Sequence, residues 1–134
     1  MFDNKSDKTI CIGSGAYDGR DFEFMKNNLT LEERIEHAKL PKYDRWSWDF
    51  KMNMIFYNDT TRNFIPENLL LCGWLVGNEK QWHLDVVRKI VCEILEARNL
   101  LKSKTVFYGT SVGGFTSLML STLVKGSLCI ADVP

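Results

Sequence analysis

Val106-Phe107-Tyr108-Gly109-Thr110-Ser111-Val112-Gly113-Gly114-Phe115 decides how this chain is read. A short apolar run leads into a serine set between glycines, and a helix-forming run follows. Gly109-x-Ser111-x-Gly113 is the pattern of a nucleophile elbow, a sharp strand-to-helix turn that exposes a serine hydroxyl at the edge of a sheet. Gly109 and Gly113 leave room for the turn and for close approach of the helix. A glycine-rich turn that merely packs is the alternative. The β-run before the serine, the helix after it and the extra Gly114 favour the elbow.

Outward from this stretch the chain alternates. Thr105-Val106-Phe107-Tyr108 predicts a strand. The helix after Ser111 is expected to bury Phe115, Leu118, Met119, Thr122 and Leu123 and to stop near Lys125-Gly126, a basic residue followed by glycine. Leu128-Cys129-Ile130-Ala131 predicts a further strand. Upstream, Lys8-Thr9-Ile10-Cys11-Ile12 and Met52-Asn53-Met54-Ile55-Phe56-Tyr57 are β-rich runs. Between them, Thr30 and Glu33 form a capping box that opens a helix of about ten residues, ended before Pro41. Asn78, with Gln81 reciprocating, is expected to open a long helix whose apolar stripe runs through positions 82, 86, 87, 90, 91, 94 and 95. Residues 69–77 read as a buried connector. The expected fold class is therefore α/β, a parallel sheet of about four strands with helices on both faces.

Composition narrows the classes of function. A chain of 134 residues is one domain by size. Seventeen basic residues balance seventeen acidic ones with no basic stripe, which argues against nucleic acid as a partner. Cys11, Cys72, Cys92 and Cys129 form no C-x-x-C pair and read as free thiols, which fits a reducing, cytoplasmic setting. The amino-terminal residues carry no apolar leader, and no apolar run reaches the roughly 18 residues of a membrane span. Gly13-Ser14-Gly15 is a tight turn with no Gly-Lys-Ser/Thr after it, so no P-loop is present. No cofactor or metal motif is found.

A serine hydroxyl needs a base beside it and donors facing the developing oxyanion. The N–H of Val112 is the expected first donor. The second is expected from the loop after the first strand, around Gly15, Ala16 and Tyr17. His37 reads as a surface histidine and His83 as structural or exposed. Asp132, ending the fourth strand, is a candidate acid. Trp46 and Trp48, in an aromatic-rich segment, are candidate substrate contacts, as are Trp74 and Asp59. An anchored loop is the alternative for the aromatic segment, and an Asx turn for Asp59.

The elbow, followed by Ser117-Leu118-Met119-Leu120 and Lys125-Gly126-Ser127, resembles α/β-hydrolase-fold proteins. With Arg45-Trp46-Ser47-Trp48, Tyr57-Asn58-Asp59 and Gly73-Trp74, it is similar to the hydrolase-like proteins found with bacterial surface-polysaccharide biosynthesis. The resemblance implies a partial α/β-hydrolase fold, in whose usual order the second strand pairs with the first, the first with the third and the third with the fourth, and a serine nucleophile acting on an ester or acyl group of a small molecule or glycan. It also implies a triad order of serine, acid, then histidine, yet no histidine follows Ser111. Two readings stand: a fragment of a serine hydrolase or acyltransferase, inactive alone, or a non-catalytic carbohydrate-binding or assembly module. The last strand is expected to leave an open apolar edge prone to self-association.

Overall fold

The structure is a computed structural model, and it describes residues 5–15, 24, 27–33, 36, 51–61 and 72–132. Four strands form one parallel sheet: β1 (Thr9–Gly13), β2 (Asn53–Tyr57), β3 (Thr105–Thr110) and β4 (Leu128–Asp132), in the order β2-β1-β3-β4. The α/β class expected from the sequence is observed, and so is the strand order that the resemblance implied. Two helices connect the later strands, α1 (His83–Ala97) and α2 (Val112–Leu123), with a 3₁₀ turn at Lys102–Lys104 leading into β3.

The β2-to-β3 and β3-to-β4 connections run across the sheet in the same direction. Right-handed crossovers therefore carry α1 and α2 to the same face. That face is the core: Cys11, Ile55, Tyr57 and Phe107 from the strands pack with Leu84, Val91 and Leu95 of α1 and with Leu120 and Val124 at the end of α2. Helices were expected on both faces, and these two share one. The helix expected between β1 and β2 falls mostly outside the described residues, although residues 31–33 and 36 are helical. Its capping box is formed: Thr30 N–H donates to Glu33 Oε2 at 2.8 Å, and Glu33 N–H to Thr30 Oγ1 at 3.3 Å. Ile12 and Met54, on the opposite face of the sheet, are also buried.

Two helix readings change. The long helix begins at His83, not after Asn78. Asn78 Oδ1 accepts from the N–H groups of Lys80 and Gln81, and the Asn78 and Gln81 backbones bond to each other, which closes a separate turn. Gly77, at φ +86°, supplies the left-handed bend before it. Of the predicted α1 stripe, Trp82 and Ile90 are exposed, and the buried line runs through Leu84, Val91 and Leu95. On α2, Phe115 and Leu118 are exposed, while Gly113, Gly114, Thr116, Ser117 and Leu120 are buried. Small residues face the sheet because they let the helix backbone come close to it. Tyr57 uses that closeness, its hydroxyl lying 2.9 Å from Ser117 Oγ.

All four cysteines are free. Burial pushes the Cys11 thiol up to about 12, so it stays protonated and inert. No described helix is long and apolar enough to cross a membrane.

Candidate functional site

In a parallel sheet, sites collect at the carboxyl ends of the strands. Here that edge carries Ser14 after β1, Asp59 after β2, Ser111 after β3 and Asp132 at the end of β4.

Ser111 has φ 53° and ψ −128°, a sparsely populated conformation for a residue with a Cβ. It sits between β3 and α2, exposed, and its side chain does not cap its own helix. The neighbourhood holds it there. Ser111 N–H donates to the Asp132 carbonyl at 3.0 Å, and its own carbonyl accepts from Phe115 N–H at 3.1 Å, the first turn of α2. Holding a strained residue this way costs about 1–3 kcal/mol, which the surrounding packing must offset.

The two flanking glycines are sterically required. A Cβ on Gly109 would lie 2.2 Å from the Gly113 carbonyl oxygen, and one on Gly113 would lie 2.8 Å from the Gly13 carbonyl oxygen. Both obstacles are backbone and cannot swing away. Gly109→Ala is therefore expected to destabilise the domain by about 3 kcal/mol, the upper end of overpacking penalties, read by urea denaturation.

Val112 N–H lies in the first turn of α2, where backbone donors have no intrahelical acceptor and the helix dipole favours negative charge. This is the position of the expected first oxyanion donor. Ala16 and Tyr17, expected to supply the second, lie outside the described residues, as do Trp46, Trp48 and His37.

The structure gives Asp59 a definite task. Its carboxylate is buried and accepts from the N–H groups of Thr61 at 3.2 Å, Leu75 at 3.1 Å and Gly73. Its own N–H donates to Ser14 Oγ at 3.2 Å. Trp74 and Leu75, bracketed by the bonded amides, both adopt left-handed backbones, at φ 53° and 56°. Backbone N–H groups gathered at such a turn form a concave site suited to an anion, and Asp59 fills it. Thr61 Oγ1 extends the clamp by accepting from Gly77 N–H at 2.9 Å. The result is a fixed loop with Leu75 driven into the core and the Trp74 ring about half exposed. The Asx turn expected as the alternative for Asp59 is formed by the Thr61 N–H bond, and the same carboxylate anchors the loop that carries Trp74. The link was hidden because the Gly73 and Leu75 amides lie 14 and 16 residues from Asp59 along the chain.

His83 opens α1 at this same edge, buried, with Nδ1 2.9 Å from Thr60 Oγ1. Thr60 follows β2, and β1 stands between β2 and β3. Two strand spacings, about 10 Å, therefore separate the ends of the strands that carry Thr60 and Ser111. Among the described residues, no side chain hydrogen-bonds Ser111 Oγ. Asp132 contributes its backbone carbonyl to the elbow, and its exposed side chain stands one strand away. No family model, curated protein or solved structure matches this chain.

Proposed function

We propose that this domain presents Ser111 as the nucleophile of a serine hydrolase or acyltransferase acting on an ester or acyl group. One observation carries the reading: an exposed serine held in a strained backbone between a strand and a helix, with flanking positions that only glycine can occupy. Strain of this kind persists where function requires it. In the proposed step, Ser111 Oγ attacks the carbonyl carbon, and Val112 N–H stabilises the oxyanion. The acyl group passes to Ser111 as the alcohol leaves, and water or an acceptor hydroxyl then takes it. In place of a histidine base, solvent water carries the proton of the attacking hydroxyl to the departing alcohol oxygen. His83 is bonded to Thr60, and His37 lies outside the described residues. The domain alone is therefore expected to turn over little ester.

An alkyl fluorophosphonate tests the nucleophile without needing full turnover. The expected result is one phosphonyl adduct, mapped to Ser111 by mass spectrometry, that forms slowly on the folded chain and does not form when the chain is unfolded in urea before the probe is added. Absence of any adduct on the folded protein after prolonged exposure overturns the proposal.

A further inference from the structure

A cavity of about 630 Å³ lies between the end of α1 and the turn after α2, where β3 and β4 begin. This is the edge of the sheet opposite Ser111. The volume falls within the range of small-molecule sites, about 300–1,000 Å³. Leu95, Leu100 and Leu101 give the cavity apolar walls, Leu95 from the core and Leu101 from the surface. Lys102, Ser103 and Lys125 line it as well, together with one acid, Glu96.

The fold does not use up these polar groups. Among the described residues, the side chains of Glu96, Lys102, Ser103 and Lys125 make no hydrogen bond or ion pair. Lysines near a helix end commonly hydrogen-bond its last carbonyls, but here other groups do so. At the end of α1, Leu100 N–H donates to the Leu95 carbonyl at 2.8 Å, and Asn99 N–H to the Glu96 carbonyl at 3.0 Å, with Asn99 left-handed at φ 53°. At the end of α2, Val124 N–H donates to the Leu120 carbonyl at 2.9 Å, and Ser127 Oγ to the Val124 carbonyl at 2.8 Å. Both ammonium groups are thus left at an apolar-walled cavity.

We infer that this cavity binds a small amphipathic monoanion, a carboxylate on an aliphatic body, with Lys102 and Lys125 taking the carboxylate and the leucines the body. Charge fixes the class. Two ammonium groups against one carboxylate leave a single positive charge at the site. The negative ends of both helix dipoles lie at this edge and, with Glu96, oppose a second negative charge. A phosphate dianion is therefore disfavoured, and a neutral molecule leaves the lysines unused. Ser103 offers a further hydroxyl donor to the carboxylate. The site is separate from the proposed nucleophile, because the six residues of β3 stand between them, about 20 Å. Its ligand does not depend on the role proposed for Ser111.

Octanoate titrated into the ¹⁵N-labelled full chain and followed by amide NMR tests the site. Saturable shifts are expected at residues 100–103 and 125–126, with a Kd of about 1 mM. Lys102→Met combined with Lys125→Met keeps the aliphatic stems at two exposed positions and is expected to raise that Kd at least about tenfold in a folded spectrum. Two ligands test the class on the wild-type chain, so the result does not hang on a variant. Acetate lacks the body and octylammonium reverses the charge, and each is expected to bind at least about fivefold more weakly than octanoate. Octyl phosphate is also expected to bind more weakly, and Glu96→Gln to narrow its gap to octanoate. No saturable shift at the cavity by about 10 mM octanoate overturns the proposal. So does octanoate binding indifferent to the loss of both lysines, acetate or octylammonium binding as well as octanoate, or octyl phosphate binding the wild-type chain more tightly.

Discussion

Asp59→Ala is expected to lower the unfolding free energy by about 4 kcal/mol, the largest stability effect of a single substitution proposed for this domain. The carboxylate is buried and holds three backbone N–H groups, those of Thr61, Gly73 and Leu75. Hydrogen bonds to a charged acceptor contribute about 1.5–3 kcal/mol each, and they do not add fully. Removing the acceptor leaves buried amides unpaired and frees a loop whose Trp74 and Leu75 backbones are held left-handed. Leu75 belongs to the core cluster, so release of the loop also opens the core. Asp59→Asn keeps one carbonyl oxygen of similar shape and is expected to cost about half as much. Urea denaturation followed by tryptophan emission reads both effects. A cost below about 1 kcal/mol for Asp59→Ala would show that the loop holds its shape without the carboxylate.

Ser111→Gly is expected to separate stability from chemistry. Glycine enters the φ 53°, ψ −128° region with little strain, although it loses more backbone entropy on folding. The strain of about 1–3 kcal/mol exceeds that entropic cost of about 0.5–1 kcal/mol, so a net gain of about 1 kcal/mol is expected. Ser111→Ala keeps the Cβ and hence the strain, and its stability should stay within about 0.5 kcal/mol of wild type. Both variants should lose all fluorophosphonate labelling at this position. A stabilised glycine variant beside a neutral alanine variant, both unlabelled, is the signature of a backbone strained to present a hydroxyl. Equal stability of the two variants would remove strain from the argument, and persistent labelling would move the nucleophile elsewhere.

The amino-acid sequence by itself determined the four strands, their alternation with helices and the glycine-serine-glycine elbow. These are local properties: short β-rich apolar runs, a capping box within one turn, and glycines at positions where a Cβ has no room. Strand order was not local: it came from the resemblance to α/β-hydrolase folds, and the handedness of the connections sets only the face each helix covers. The sequence did not determine which side of α2 is buried. That helix is apolar nearly all round, so periodicity pointed to Phe115 and Leu118, whereas the sheet accepts the small residues Gly113, Ser117 and Thr116 because they let two backbones close on each other. Likewise the Asn78 signal marked a turn instead of the start of α1, since the cap preference of asparagine serves both.

Only the tertiary structure decided what Asp59, His83 and Ser111 do. The Asp59 carboxylate meets amides brought back by a connector that shows no periodicity. His83 is buried with its Nδ1 against Thr60 Oγ1, a residue that follows β2. The strained backbone of Ser111 is imposed jointly by Asp132 on a neighbouring strand and by the close approach of α2 to β1. Each is a contact between segments distant in sequence, where residue type sets what can bond and the fold alone sets what is near.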